Sequence, residues 1–322
     1  MNQFTSSDDI ADPGEDIGVK LKELLRLAES YQQNPLMHRT EGEGKTLGLI
    51  FFNPSLRTRL STIKAAQNLG IHVISMNADK DGWLLETGDG VVMNQGNAEH
   101  IREAAAVMGA YCDMLGVRSF PGLQDRESDY AEKLLNGFVR YSGVPVVNLE
   151  SATLHPLQSL TDLLTIEALH PGKKLNITMT WAPHVKALPQ AVANSFAQWA
   201  GLTDHRLTIA QPKGFELSEV YTKGARIVHD QQEAFRDADI IYVKNWSSYD
   251  HYGQVGDFPE WKVDMQKMKL TNNAALLHCL PVRRNVVIAD EVLDSDYSKV
   301  IMQAANREFA AQAVLKKILE KI

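Results

Sequence analysis

Cysteine is scarce in this chain: Cys112 and Cys279 are the only two among 322 residues. Two thiols cannot build a disulfide framework, and such a count suits a reducing compartment. No apolar run approaches the ~20 residues needed to span a bilayer. Met1 to Pro13 is polar and acidic, without the basic start and apolar core of a signal peptide. These absences together give the expectation of a cytoplasmic protein. Metal spacings are missing too: no Cys-x-x-Cys, His-x-x-x-His or His-Glu-x-x-His occurs, so no metal is expected. No Gly-x-Gly-x-x-Gly follows an apolar run, which argues against a dinucleotide, and no cofactor is expected. Positive charge is not in excess. A net charge of -7 argues against nucleic acid or an anionic membrane as partner.

What is present is a long alternation of strand-like and helix-like segments. Strands are expected near 46–52, 71–76, 112–117, 144–148, 174–180, 206–210, 225–228, 239–244, 274–278 and 299–302. Helices are expected near 18–32, 56–69, 98–110, 127–141, 156–169, 187–200, 230–236 and 303–321. Such alternation predicts an α/β protein with parallel sheets covered by helices. The length exceeds one comfortable core. Two doubly wound parallel-sheet domains are therefore expected, residues 1–150 and 151–302, with the active site in the cleft between them. The last helix, 303–322, is expected to pack back on the first domain.

The most informative stretch is Phe52-Asn53-Pro54-Ser55-Leu56-Arg57-Thr58-Arg59. A buried strand stops at Asn53-Pro54, and Ser55 has helix N-cap chemistry. The helix from Leu56 to Leu69 stops at Gly70. The turn gathers two hydroxyls, two arginines and the unpaired N–H groups of a helix start, where anions bind. A plain Ser cap beside solvated arginines is the competing reading. Gly44-Lys45-Thr46 imitates the end of a phosphate-binding loop. It precedes its strand, and Arg39 occupies the position that needs glycine, so it is a turn.

In open parallel sheets, ligands bind beyond the carboxyl ends of the strands. The residues expected there are Arg118, Glu150 with His155-Pro156-Leu157-Gln158, Trp181 to His184, Lys244-Asn245-Trp246, and Cys279 to Arg284. Most of these ends are cationic, which points to anionic substrates. Trp83, in a Gly-flanked loop, either closes over a ligand, here or on a neighbouring chain, or packs its own loop.

Together, the turn at 52–59, Gly116-Val117-Arg118, His155-Pro156-Leu157-Gln158, His278-Cys279-Leu280-Pro281 and Asn306-Arg307 resemble the transcarbamylases, in the family's order along nearly the whole chain. Ornithine transcarbamylases share His-Cys-Leu-Pro, but their Ser-Met-Gly segment, which holds the charged amino-acid end of ornithine, is replaced here by Lys244-Asn245-Trp246. A lysine repels a free α-ammonium and pairs a carboxylate. The chain thus resembles the N-acylornithine branch. The acetyl variant, as the resemblance implies, has Glu before a Glu-His pair and a Lys where Val287 stands. The succinyl variant has Pro at the first of these positions. Ala98-Glu99-His100 has neither, and Ala98 adds no negative charge against a succinyl carboxylate. N-succinylornithine is favoured, with N-acetylornithine as the alternative.

The resemblance implies carbamoyl transfer from carbamoyl phosphate to the side-chain amine, a step of arginine biosynthesis. It implies that Ser55, Leu56, Arg57, Thr58 and Arg307 hold the phosphate and that Arg118 bridges phosphate and carbonyl oxygen. Thr58 and His155 stabilise that oxygen, Gln158 and Leu280 orient the carbamoyl amine, and Cys279 packs beside it. The catalytic set is therefore Arg57, Thr58, Arg118 and His155. Glu150, His184, Lys244, Leu280 and Arg283 are the positions for N-acylornithine, with Ala98 and Val287 bearing on the acyl group. Trp83 is implied to reach a neighbouring site in a homotrimer. On residues alone, a nucleotide-binding oxidoreductase and a non-catalytic paralogue remain rivals. The absent glycine fingerprints count against the first, and the presence of Arg57, Arg118 and His155 against the second.

Overall fold

The computed structural model describes residues 1–322, the side chain of Asp79 excepted. The chain forms two compact units. Unit 1 comprises Met1–Pro121, Glu127–Leu157 and Arg307–Ile322; unit 2 comprises Gly122–Arg126 and Gln158–Asn306.

Unit 1 is built on four parallel strands: β1 (Thr46–Phe51), β2 (His72–Asn77), β3 (Met114–Arg118) and β4 (Val146–Glu150). Their order in the sheet is β2-β1-β3-β4. Apolar runs form β1, β3 and β4 because these strands are buried along their length. The edge strand β2 instead alternates, with His72 exposed. Helices α1 (Ile17–Gln33), α2 (Arg57–Asn68), α3 (Ile101–Tyr111) and α4 (Lys133–Tyr141) belong to this unit. Phe138 of α4 is fully buried with Ile101, Leu115 and Val117. Truncating such a residue to Ala typically costs about 3–5 kcal/mol. Gly116 is required by close packing: a Cβ there would lie 2.8 Å from Leu49 Cδ2 and 3.1 Å from Leu149 Cδ1.

Unit 2 has five parallel strands: β5 (Asn176–Trp181), β6 (Arg206–Ala210), β7 (Arg226–Val228), β8 (Ile240–Lys244) and β9 (Ala275–Leu277). Their order is β9-β8-β5-β6-β7. Helix α6 (Ala191–Ala200) is buried on nearly all sides, and its Phe196 stacks on Tyr242 of β8 with ring centroids 4.2 Å apart. Trp181, at the end of β5, sits in an aromatic cluster with Phe215, Phe258 and Trp261. Helix α5 (Pro156–Leu169) starts in unit 1 and continues in unit 2, and α7 (Val300–Leu319) runs the other way.

Three expectations need correction. Residues 299–302 form no strand: an isolated bridge joins Leu276 to Ser298, and α7 begins at Val300. The helix expected over 127–141 is two pieces, Arg126–Tyr130 and α4, because Glu132 turns left-handed at φ +45°. Its carboxylate accepts from Ser151 Oγ at 2.5 Å and from the Thr153 N–H at 2.8 Å, supporting the loop that leads to His155. Ser55 does not cap α2: Leu56 occupies the cap position, without a side-chain cap bond. Gly70, at φ +80°, does end that helix.

Candidate active site

In each unit the strand order reverses at one point. In unit 1 this falls between β1 and β3, and in unit 2 between β5 and β8. Ligands of doubly wound sheets bind beyond the carboxyl ends of the strands at such a reversal. Beyond β1 lies the Ser55 turn, and β3 ends on Arg118. Beyond β5 lies His184, and β8 ends on Lys244.

The unit 1 constellation centres on Thr58, in the first turn of α2 and 3% exposed. Its hydroxyl accepts from Arg307 Nη2 at 2.7 Å and, in a long contact, from Arg118 Nη1 at 3.5 Å. Arg307 belongs to α7, so the end of the chain reaches the turn after the first strand. Arg118 Nη1 also donates to Glu150 Oε2 at 2.5 Å, and His155 Nε2 lies 3.6 Å from the same oxygen. Arg118, Glu150 and His155 are all buried. A register shift between β3 and β4 makes this pairing possible. Val117 pairs with Asn148, but Arg118 pairs with Glu150, skipping Leu149. Bulges of this kind re-aim a side chain beside an active site. The buried Nε of Arg118 meets no acceptor among the described residues.

Ser55 is half-buried, Leu56 is exposed, and Arg57 opens the helix at its positive end. Arg59 departs from the expected convergence. Its guanidinium donates to Asn77 Oδ1 and lies over the Phe51 ring, 4.3 Å from the centroid. The two arginines of the turn therefore do not converge as expected, Arg59 being held by Asn77 and Phe51. Glu150, expected on the acceptor side, has its carboxylate on Arg118 and His155. The structure thus joins it to the unit 1 cluster.

The unit 2 constellation is His184, Lys244 and Arg283. His184 Nε2 accepts from Arg283 Nε at 3.3 Å, and its Nδ1 lies 2.8 Å from the Lys186 carbonyl oxygen. Burial, followed by the positive charges of Lys244 and Arg283, holds the imidazole pKa below its ordinary value; the hydrogen bond to the Lys186 carbonyl opposes this. His184 is thereby kept neutral between two cations. Lys244 is buried at 7% exposure, yet among the described residues its ammonium has neither hydrogen bond nor carboxylate partner. Neighbouring contacts fix the end of β8: the Ala182 N–H donates to the Lys244 carbonyl, and Asn245 Nδ2 donates to the Ala182 carbonyl at 2.7 Å. Arg284, next to Arg283, is tied to Asp290 and Asp294 on the surface. Among the described residues Arg283 has no such acid; its Nε donates to His184. Two adjacent arginines thus have different tasks.

Gln158 is 1% exposed and donates to Asp162 Oδ1 at 2.7 Å. Leu280 adopts φ +55°, rare for a leucine, with its N–H on His278 Nδ1 at 2.9 Å. Cys279 is half-buried. Trp83 is 57% exposed and donates from Nε1 to Glu99 at 2.8 Å. Ala98 is exposed, with its N–H on the Leu84 carbonyl, so it shares a small sheet with Trp83's segment. Val287 is 2% exposed, so it can influence the acyl group only through packing. Two supporting side chains escaped the sequence reading. Asp162 was signalled by its i,i+4 spacing from Gln158, whereas Gln303 had no sequence signal. Among the described residues no cluster of His, Cys, Asp or Glu side chains could hold a metal ion.

Comparison with known proteins gives this geometry a family. Residues 16–168 match the aspartate/ornithine carbamoyltransferase carbamoyl-P binding domain, and residues 144–318 match its Asp/Orn binding domain. The chain belongs to the aspartate/ornithine carbamoyltransferase family. It is 48% identical to N-succinylornithine carbamoyltransferase of Bacteroides thetaiotaomicron, over 99% of each chain. It is 37% identical to N-acetylornithine carbamoyltransferase of Xylella fastidiosa, over 92% of this chain and 94% of that protein. A solved acetylornithine transcarbamylase complexed with acetylcitrulline superposes with a TM-score of 0.91 at 34% identity, covering 99% of each chain.

Proposed function

We propose that this carbamoyltransferase transfers the carbamoyl group of carbamoyl phosphate to the side-chain amine of N-succinyl-L-ornithine, as a step of arginine biosynthesis. The products are N-succinyl-L-citrulline and phosphate. The carrying observation is Lys244: a lysine buried at 7% exposure and without an acid partner among the described residues, at the switch point of unit 2. A free α-ammonium there would meet Lys244 and Arg283 with like charge. An acylated α-nitrogen is neutral and leaves the substrate's carboxylate to pair with them.

Ala98 supports the succinyl group. Solved structures of the N-acetylornithine enzyme in which one glutamate is replaced by alanine or proline contain carbamyl phosphate and N-succinyl-L-norvaline. We equate that glutamate with the one preceding Glu-His in the acetyl branch, and hence with Ala98. The exposed apolar residues Trp83, Leu84 and Val92 support an interface, and so a homotrimer in which Trp83 completes a neighbouring site. A count of two cysteines suits a cytoplasmic enzyme.

In this reading the phosphate lies at the α2 start on Ser55, Leu56 N–H, Arg57, Thr58 and Arg307. Arg118 spans phosphate and carbonyl oxygen. The neutral amine attacks the carbonyl carbon, a C–N bond forms, and the carbon–phosphate oxygen bond breaks. Thr58, Arg118 and His155 face the oxygen that gains negative charge, where one donor is typically worth ~100-fold or more in rate. The amine's solution pKa, about 10, falls in a desolvated cationic site. Its proton leaves with the phosphate. The remaining acceleration comes from holding two reactants in attack geometry.

The test is citrulline formation from carbamoyl phosphate with ornithine, N-acetylornithine or N-succinylornithine supplied separately. Highest kcat/KM with the succinyl substrate is expected. Preference for the acetyl substrate would overturn the acyl assignment, and no product with any of the three would overturn the reading.

A further inference from the structure

We propose that Asp162 is a positioning residue for the carbamoyl amide, acting through Gln158 and, by way of Gln303, through the main chain of Leu280. The inference rests on the carbamoyl-transfer reading above. Asp162 is fully buried, one helical turn after Gln158 on α5. Its Oδ1 accepts from Gln158 Nε2 at 2.7 Å and from Gln303 Nε2 at 2.6 Å. An amide side chain has a donor end and an acceptor end. Fixing the donor end of Gln158 on a carboxylate makes Oε1 the end presented to an N–H group.

The second branch has the same logic. With Nε2 held by Asp162, Gln303 accepts through Oε1 from the His278 N–H at 2.8 Å. His278 Nδ1 then accepts from the Leu280 N–H at 2.9 Å. Leu280 is thereby held in its left-handed conformation, and the direction of its carbonyl is set. A carbamoyl NH₂ has two N–H donors. Gln158 Oε1 and the Leu280 carbonyl are two acceptors, and one carboxylate orients both.

The choice of an acid is informative. A carboxylate only accepts, so neither glutamine can bind it reversed. An asparagine could turn its NH₂ towards either glutamine and allow both to flip. Desolvating a carboxylate is also costly, and helix packing alone would be met by an apolar residue.

The test compares Asp162→Asn with wild type in four quantities: kcat, KM for carbamoyl phosphate, KM for N-succinylornithine, and inhibition by inorganic phosphate. Phosphate lacks the carbamoyl NH₂. The expected result is a loss of about 10- to 100-fold in kcat/KM for carbamoyl phosphate. Phosphate inhibition and the acceptor KM should stay within about twofold of wild type. Gln303→Met should show the same pattern at smaller size, because Gln158 keeps Asp162; it decides the matter if the Asp162 variant does not fold. Unchanged carbamoyl phosphate kinetics, or phosphate inhibition weakened in proportion, would overturn the inference while transfer by wild type stands. A wild type that cannot use carbamoyl phosphate would overturn the functional reading and this inference with it.

Discussion

The two cationic constellations are built differently. In unit 1 the positive groups are already joined to protein acceptors: Arg118 to Glu150, and both Arg118 and Arg307 to the Thr58 hydroxyl. In unit 2, among the described residues, Lys244 has no acid partner and Arg283 donates to the neutral ring of His184. A pre-joined cluster has its geometry fixed before a ligand arrives, which suits a donor substrate and a developing oxyanion. Uncompensated cations instead select by charge whatever enters. On the proposed function, the first constellation would serve the chemistry and the second the choice of acceptor.

Four substitutions would break or sharpen that contrast. Arg118→Met should have the largest effect, lowering kcat by ~100-fold or more, with the KM for N-succinylornithine little changed; initial-rate kinetics with both substrates varied would check it. Thr58→Val should lower kcat by about 10- to 100-fold, since it removes the hydroxyl that both arginines share; the same assay applies. Lys244→Met should raise the KM for N-succinylornithine about tenfold and leave phosphate inhibition unchanged, the reverse of the Arg118 pattern.

His184 supplies the smallest effect, through pH. Its folded pKa is depressed by burial and by the neighbouring cations. The unfolded chain therefore binds more protons as pH falls through about 6.5. The stability tied to this group is present above that pH and is lost as pH falls towards the folded pKa. Between pH 7.5 and 5.5, Tm of His184→Asn should fall less than that of wild type, as thermal melts at both pH values would show.

Much of this was legible in the sequence because local rules and topology agree. Runs such as Leu47–Phe51 have one reading, a buried parallel strand, and a strand end followed by Pro54-Ser55 can only turn. The order of strand and helix then carried Arg118, His184 and Lys244 to the carboxyl ends of their sheets. What stayed hidden depends on contacts between distant residues. The Arg118–Glu150 pairing needs a register shift that no pattern announces. Gln303 meets Asp162 across 141 residues of sequence separation. Arg59 looked like a second phosphate ligand until Asn77, on the neighbouring strand, claimed it. The start of α7 was misread because Lys299 to Met302 is apolar enough for a strand, whereas the bridge to Leu276 ends at Ser298.

The central claim is that Lys244 chooses an acceptor with a blocked α-amine. The most direct measurement supplies carbamoyl phosphate with an equimolar mixture of ornithine and N-succinylornithine and resolves the two products by mass. Wild type is predicted to form N-succinylcitrulline with almost no citrulline, and Lys244→Glu to shift the ratio towards citrulline. Comparable amounts of both products from wild type, or a ratio unmoved by Lys244→Glu, would contradict the account.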